Sequence, residues 1–335
     1  MEKICRQAAQ EIQSGGFDLL FATTCFCYYM PFIVRHLNIP KVTYLHEPFR
    51  YFYEASPTLP WVGRILNGDS SLGARARSFI VDQLKLQGMR LQARREWLNA
   101  QACDALLANS YYSRESILRA YGREAKVCYL GIDTALFRNQ RRPREPFVVG
   151  LGAFTSAKRI ELAIQSIALL PEPRPSLVWI GDAGAADYTE AMHRLAASLG
   201  VNFEARMLVS DEEVVETLNR AALLVYTSRL EPFGLAPLEA NACGAPVVAV
   251  AEGGVRETIK DGLNGFLVDS QPKAIAEAIA RLLQDAALAR DMGERACEYV
   301  QREWNLEKSV DRLEGNLLQV VRASHAQRRM ECFAR

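Results

Sequence analysis

TSRLEPFGLAPLEANACGAPVVAVAEGGVRETI, residues 227–259, holds two glutamates eight positions apart, Glu231 and Glu239. Between them Pro-Phe-Gly-Leu reads as a loop opening into a helix that starts around Leu235 and carries Glu239 about one turn in. The free N–H groups of such a helix tip are a natural seat for a diphosphate, and Gly234 lets the backbone approach a ligand closely. A carboxylate further along can accept hydrogen bonds from sugar or ribose hydroxyls, each charge-assisted bond contributing roughly 1.5–3 kcal/mol. Two acids at this spacing most often mark a solvated helix face. Here Phe233, Leu235, Leu238, Val247 and Val248 surround them with apolar residues and leave little reason for exposed charge.

Outward from this block the chain alternates short β-branched or apolar runs with longer amphipathic ones, the pattern of βα units around a parallel sheet. Downstream, Pro246–Val250 and Gly265–Val268 read as strands, Pro272–Leu283 as a periodic helix with proline in its first turn, and Leu306–Ala323 as a long final helix. Upstream lie strands at Pro146–Gly152, feeding a glycine turn, Ser176–Asp182 and Ala222–Tyr226, and helices at Ile160–Leu170, Asp187–Leu199 and Asp211–Asn219, the last capped by Ser210. Further back, Asp18–Thr23, Lys41–His46, Ala105–Ser110 and Lys126–Leu130 read as four more strands. Between the two sets, RNQRRPREP at 138–146 is charged, proline-bearing and aperiodic, and reads as a linker. The expected domains are 1–140, 141–305 and a C-terminal helix, 306–335. The fold class is α/β with two Rossmann-like domains.

The net charge of +1 gives no general reason to expect a nucleic-acid partner. Arg75, Arg77, Lys85, Arg90, Arg94 and Arg95 nevertheless crowd one stretch, and Arg138, Arg141, Arg142 and Arg144 another. These are either a solvated helix face and linker or surfaces that attract anionic lipid or phosphorylated substrate. Eight cysteines, none in a CxxC pair, suit reduced thiols in a cytosolic compartment. No signal peptide is read, and the longest uncharged run, Leu19–Val34, has 16 residues and contains Pro31, short of the roughly 20 that a spanning helix needs. It reads as a strand, a loop and a helix start. The four histidines, at 36, 46, 193 and 325, have no zinc-like spacing. His46 stands apart from the others because it ends an apolar strand, where active-site loops begin.

The block EPFGLAPLE, followed by CGAPVVAV and GGVRE, closely resembles the donor-site signature of family 4 glycosyltransferases with the GT-B fold. Four further pieces resemble that family in the same order: Tyr44-Leu-His-Glu-Pro, Ala108-Asn-Ser-Tyr-Tyr-Ser, Tyr129–Phe137 and Gly152-Ala-Phe-Thr-Ser-Ala-Lys158. The resemblance covers almost the entire chain from about Asp18. It implies two domains facing a cleft, with the C-terminal helix packing back toward the first. It also implies a retaining transferase, working without a metal or other cofactor, that moves sugar from a nucleotide-sugar donor, GDP-mannose or a UDP-sugar, to a glycan or lipid-linked acceptor. Such an enzyme would work in the cytoplasm or at the inner face of a membrane, with a peripheral membrane contact. Residue by residue, Glu239 resembles the ribose-binding carboxylate and Glu231 the one contacting hydroxyls of the transferred sugar. Phe233, Gly234 and Leu235 would offer backbone amides, Lys158 would neutralise the departing diphosphate, and His46 would lie near the reacting carbon.

Two departures qualify the resemblance. Where many members have arginine after the glycine of the diphosphate loop, this chain has Ala153, with Arg159 or Arg229 as candidates to replace the charge. Members also open with a strand, a glycine-rich loop and further βα units before the stretch matching Asp18. The first domain is therefore expected to be incomplete, and the alternative function is a donor-binding remnant without transfer.

Overall fold

The structure is a computed structural model and describes residues 2–25, 28–53 and 71–333. Cys27, within the uncharged run read above, lies outside the described residues. The chain packs as two units, one formed by Met1–Tyr129 and Arg312–Arg335, the other by Leu130–Asp311.

The second unit is a six-stranded sheet whose paired strands are all parallel. Its strands are β5 (Glu145–Leu151), β6 (Ser176–Gly181), β7 (Phe203–Met207), β8 (Ala221–Tyr226), β9 (Val247–Val250) and β10 (Gly265–Val268), ordered β10-β9-β8-β5-β6-β7. The sheet is buried on both faces, and the period of two along each strand deals its side chains to two cores. Val148, Leu177, Trp179, Leu223, Val225 and Val248 join one core. Their neighbours Val149, Val178, Ile180, Leu224, Tyr226 and Val247 join the other. The first core is closed by α5 (Ile160–Ala168), α6 (Ala186–Ser198), α10 (Pro272–Gln284) and α11 (Ala286–Glu303). The second is closed by α7 (Asp211–Arg220), α8 (Leu235–Ala242) and α9 (Val255–Thr258). A Val, Leu or Ile fully buried in either core contributes roughly 1.5–3 kcal/mol. Helices read from periodicity sit where expected, α7 with Ser210 Oγ accepting from the Glu213 N–H at 3.3 Å.

The first unit has four parallel strands in sequence order: β1 (Leu20–Thr23), β2 (Lys41–Leu45), β3 (Ala105–Ala108) and β4 (Lys126–Val127). Against them pack a 3₁₀ turn at Phe32–His36, a 30-residue helix α3 (Leu72–Gln101) and α4 (Tyr111–Tyr121), with α1 (Glu2–Ser14) and a short α2 (Arg50–Tyr53) completing the unit. Met30, Val34, Leu45, Leu106, Ile117 and Tyr121 form its core. The final helix, α12, runs Leu306–Phe333, ten residues beyond the stretch read from sequence. From Arg312 onward it belongs to this first unit, where Lys126 Nζ donates to Gln319 Oε1 at 2.8 Å and Arg312 Nη2 to the Tyr129 carbonyl at 3.3 Å.

The stretch read as a linker is a strap on the second unit. Arg144 donates to the carbonyls of Leu218, Ala221 and Cys243 at 2.6–3.1 Å, which satisfies chain ends that α7 and α8 leave open. Glu145 pairs with Arg220, and Asn219 bonds both the Arg138 carbonyl and the Gln140 N–H. Leu136 and Phe137 pack on the second core, so residues 130–140 group with the second unit, where the sequence placed them in the first. Charge and proline pointed to a free connector, but three arginine-to-carbonyl bonds hold the segment down.

Candidate active site

In the six-stranded sheet the order reverses between β5 and β8, which lie side by side while their following elements go to opposite edges. Loops leaving two such strands diverge and open a crevice beyond their carboxyl ends, the usual place for a ligand in an open α/β sheet. The loop after β5 is Gly152–Arg159, and the loop after β8 is Thr227–Gly234. They are stitched together: Thr227 Oγ1 donates to the Lys158 carbonyl at 2.7 Å, and the Arg229 N–H to the Ala157 carbonyl at 2.8 Å.

Across this seam Lys158 Nζ lies 2.7 Å from Glu231 Oε2, both side chains mostly sheltered from water. Two glycine features set the pair. At Gly152, φ is +146° and an added Cβ would stand 3.1 Å from Lys158 Cε, so the lysine stem lies over a position free of side chain. At Gly253, φ is +69° and a Cβ would come within 2.4 Å of the Glu231 carbonyl, while the Gly254 N–H donates to that same oxygen at 2.8 Å. The GGVRE segment thus packs backbone to backbone against the loop that presents Glu231. Trp179 Nε1 steadies the other side by donating to the Gly152 carbonyl at 2.8 Å. Leu230 takes φ 48°, a left-handed conformation that a leucine adopts only under constraint.

Next to the pair, α8 begins at Gly234, with φ 93° and no side chain capping the helix. Pro237 at the third position donates nothing, so the N–H groups of Leu235 and Ala236 are the open donors of the first turn. The helix dipole adds to their attraction for an anion. Glu239 follows on the same helix, and burial, then the nearby Asp211 carboxylate, push its acid up to about 7. Tyr226, at the end of β8, is fully enclosed. Burial first, then the charges of Glu231 and Glu239, raise its phenol well above the ordinary range, which places its hydroxyl within the field of both glutamates.

Arg159 does a different job from Lys158. Its Nε donates to the Thr227 carbonyl at 2.7 Å, Nη1 to Glu252 at 3.1 Å and Ser270 at 2.7 Å, and Nη2 to the Ser228 carbonyl at 3.3 Å. With four of five N–H groups taken, it ties together the exits of β8, β9 and β10. Arg229, by contrast, is exposed and has no ion-pair partner among the described residues. Phe233 is buried, its ring 5.6 Å from the Trp304 ring, and its backbone lies against Gly254, where an added Cβ would stand 2.9 Å from Phe233 Cα. Leu235 stays 40% exposed at the helix tip.

The structure therefore gathers Lys158, Arg159, Glu231, Gly234, Leu235 and Glu239 in the second unit. His46 belongs to the first unit, at the exit of β2. Its Nδ1 lies 3.4 Å from Asn109 Nδ2 at the exit of β3, and its ring is 5.0 Å from that of Tyr44. An amide nitrogen only donates, so Nδ1 accepts and the neutral ring carries its proton on Nε2. Burial lowers the imidazole from its ordinary value and favours that neutral form. Sequence reasoning passed over Tyr226, Glu252, Ser270 and Asn109. Position alone could have flagged Tyr226 and Asn109, since both end parallel strands. Nothing local marks Glu252 or Ser270. Among the described residues no three His, Cys, Asp or Glu side chains cluster as metal ligands. The site offers an anion cations and amides.

The model of one family, described as glycosyl transferases group 1, matches residues 132–299, half of the 335-residue chain. The chain is similar to the N-acetyl-alpha-D-glucosaminyl L-malate synthase of Bacillus anthracis, 31% identical over 180 residues, which are 53% of this chain and 46% of that protein. It is similar also to a D-inositol 3-phosphate glycosyltransferase of Acidothermus cellulolyticus, 31% identical over 252 residues, 68% of this chain and 55% of that one. The chain spans about half the length of these curated relatives. Among solved structures, HepE of Anabaena in complex with UDP superposes with a TM-score of 0.72 at 20% identity, covering 95% of this chain and 82% of that one. Sucrose-phosphate synthase of Thermosynechococcus elongatus gives 0.71 at 22% identity, with 95% and 77% covered. At such identity the likeness is one of fold, and it is the GT-B fold that the motifs implied. Since the matched segment carries the whole Lys158–Glu231–Glu239 arrangement, the chain belongs to the group 1 glycosyl transferases.

Proposed function

We propose that the chain takes a nucleotide-sugar donor and transfers its sugar, with retention, to a glycan or lipid-linked acceptor. The observation that carries this reading is the Lys158–Glu231 pair, 2.7 Å apart at the switch point of the sheet and beside the uncapped start of α8. Breaking the bond from sugar to diphosphate builds negative charge on the leaving oxygen and positive charge on the ring. Lys158 and the amides of Leu235 and Ala236 answer the first as fixed donors that need little reorganisation. Glu231 takes hydroxyls of the sugar, and Glu239 those of the ribose. Arg229 is the cation available to stand in where Ala153 replaces arginine, while Arg159 holds the loops in place. Of the two donor classes, a UDP-sugar is favoured over GDP-mannose, because HepE, of the same fold, has been crystallised with UDP and with UDP-glucose. Retention rests on the family resemblance. A lipid-linked acceptor would be met at the inner face of a membrane.

The test is donor turnover with UDP-glucose, UDP-N-acetylglucosamine and GDP-mannose, each with an acceptor mixture, followed as released nucleoside diphosphate. Release should fall on the order of 100-fold or more in Lys158→Ala. Ala153 favours a second reading, binding without transfer. In that case calorimetry would register UDP binding, abolished by Lys158→Ala, with no release from any donor. Neither binding nor release would defeat both readings.

A further inference from the structure

We propose that Asn109 is a positioning residue for the transfer reaction: with Ser110 it fixes His46 as the Nε2–H tautomer, so that the ring donates a hydrogen bond to a substrate oxygen. This role rests on the transfer reading above. The register of the first sheet brings the two side chains together. Leu45 on β2 lies opposite Ala108 on β3, so His46 and Asn109 are neighbours one residue beyond the ladder. They stand at the carboxyl ends of the strands, where open α/β sheets bind their ligands. Only Asn109 and Ser110 separate β3 from α4, and both are buried.

A carboxamide offers the ring a donor or an acceptor depending on which way it is turned. The start of α4 supplies the direction. Ser110 caps that helix, its Oγ accepting the Ser113 N–H at 2.9 Å. With the oxygen so engaged, the hydroxyl proton goes to Asn109 Oδ1 at 3.3 Å. That leaves Asn109 Nδ2 to donate to His46 Nδ1 at 3.4 Å. Each donor in the series sets the next, from the helix amide to the imidazole. The ring is also packed against Tyr44, 5.0 Å away and nearly edge-on, whose hydroxyl donates to the Cys128 carbonyl at 2.6 Å. Nε2 has no partner among the described residues. An N–H oriented from behind and open in front is a preorganised donor. The titratable groups next to the ring are the Tyr44 phenol, raised by burial, and Glu47, which lies 3.4 Å from Arg50. From β3 it meets the uncharged Asn109.

Asn109→Asp reverses the bond at almost constant size. A carboxylate only accepts, so the neutral ring must turn its proton to Nδ1 and present a bare Nε2, and the new negative charge raises the imidazole. At about pH 9 the variant should lose roughly tenfold or more in kcat with the donor that wild type turns over. As pH falls the ring gains its second proton and Nε2–H returns. The ratio of variant to wild-type kcat, in which titrations common to both cancel, should therefore climb toward one by about pH 6. A mere packing defect would give a ratio that does not change with pH. Long-range nitrogen–proton NMR of the histidine-labelled chain, with His46 assigned by its loss in His46→Gln, reads the tautomer apart from turnover. The wild-type ring should be neutral and protonated on Nε2 at about pH 7, and the Asn109→Asp ring protonated on Nδ1 or on both nitrogens. A wild-type proton on Nδ1, or a flat ratio beside normal wild-type turnover, would overturn this role and leave the transfer reading standing. No wild-type turnover with any donor would overturn both. The wild-type spectrum decides even if Asn109→Asp fails to fold.

Discussion

Glu239 answers to two opposing demands. Burial on α8 raises its acid to about 7 from an ordinary 4.5, so the folded protein keeps that proton to a higher pH than the unfolded chain does. Its contribution to stability is therefore fullest below the ordinary range and is lost as pH rises through 7. Glu239→Gln, uncharged throughout, should resist urea better than wild type at about pH 8, by up to roughly 3 kcal/mol, and the gap should close toward about pH 5. Yet a ligand hydroxyl prefers the carboxylate, so Glu239→Ala should loosen nucleoside diphosphate binding by about 10–100-fold in calorimetry, and wild-type affinity should fall as pH drops below neutrality. A stabilised Gln variant that binds UDP as tightly as wild type would remove Glu239 from the site. Gly253 makes a second residue-scale case. Alanine there meets both the left-handed φ and the Glu231 carbonyl at 2.4 Å. Gly253→Ala should cost roughly 1–3 kcal/mol in stability and weaken turnover more than a substitution on α6 of equal stability cost. Equal losses would mean that the glycine serves folding alone. Glu231, Glu239 and Lys158 were legible because motif and strand exits announce them. The anchoring role of Arg159 was not, since Thr227, Glu252 and Ser270 lie 68, 93 and 111 positions away.

Elements whose apolar residues repeat at one period were readable, and those stabilised otherwise were not. Each of the five strands read in the second unit is present, with boundaries moved by a residue or so. The missing sixth, β7, reads Phe-Glu-Ala-Arg-Met and lies at the sheet edge, where Glu204 and Arg206 pair with each other at 2.7 Å on one face. An edge strand with charges on one face lacks the hydrophobic run that marks its neighbours. The arginine strap was misread for the opposite reason: charge implied water, whereas the carbonyls of Leu218, Ala221 and Cys243 receive Arg144. Helix interiors yield another prediction. Gly88 in α3 and Gly315 in α12 are exposed, and a Cβ at either meets nothing within 4 Å. Gly88→Ala and Gly315→Ala should each stabilise the protein by about 0.5–1 kcal/mol in denaturant titration. Destabilisation by either would mean that its backbone is not in an unstrained helix.

At the scale of the molecule, the second unit contains both faces of its sheet, both of its cores and every residue of the candidate site named above apart from His46 and the residues around it. Residues 130–311 alone should therefore unfold cooperatively and bind UDP within about tenfold of the whole chain. A fragment that is molten, or folded but unable to bind, would show that the donor site draws on the first unit. The two-unit plan was legible from the repeated βα rhythm. The points where the chain passes between units were not, because one lies in the uncharged stretch after Cys128 and the other inside the periodic pattern of α12. That second passage has a mechanical consequence. Between Tyr129 and Leu130 the chain passes as irregular backbone, whose torsions are free to adjust. Between Asp311 and Arg312 it passes inside an unbroken helix, where every peptide is locked to the turn before it. The irregular segment can change its torsions one peptide at a time, whereas in α12 no peptide turns without breaking its hydrogen bonds to the neighbouring turns.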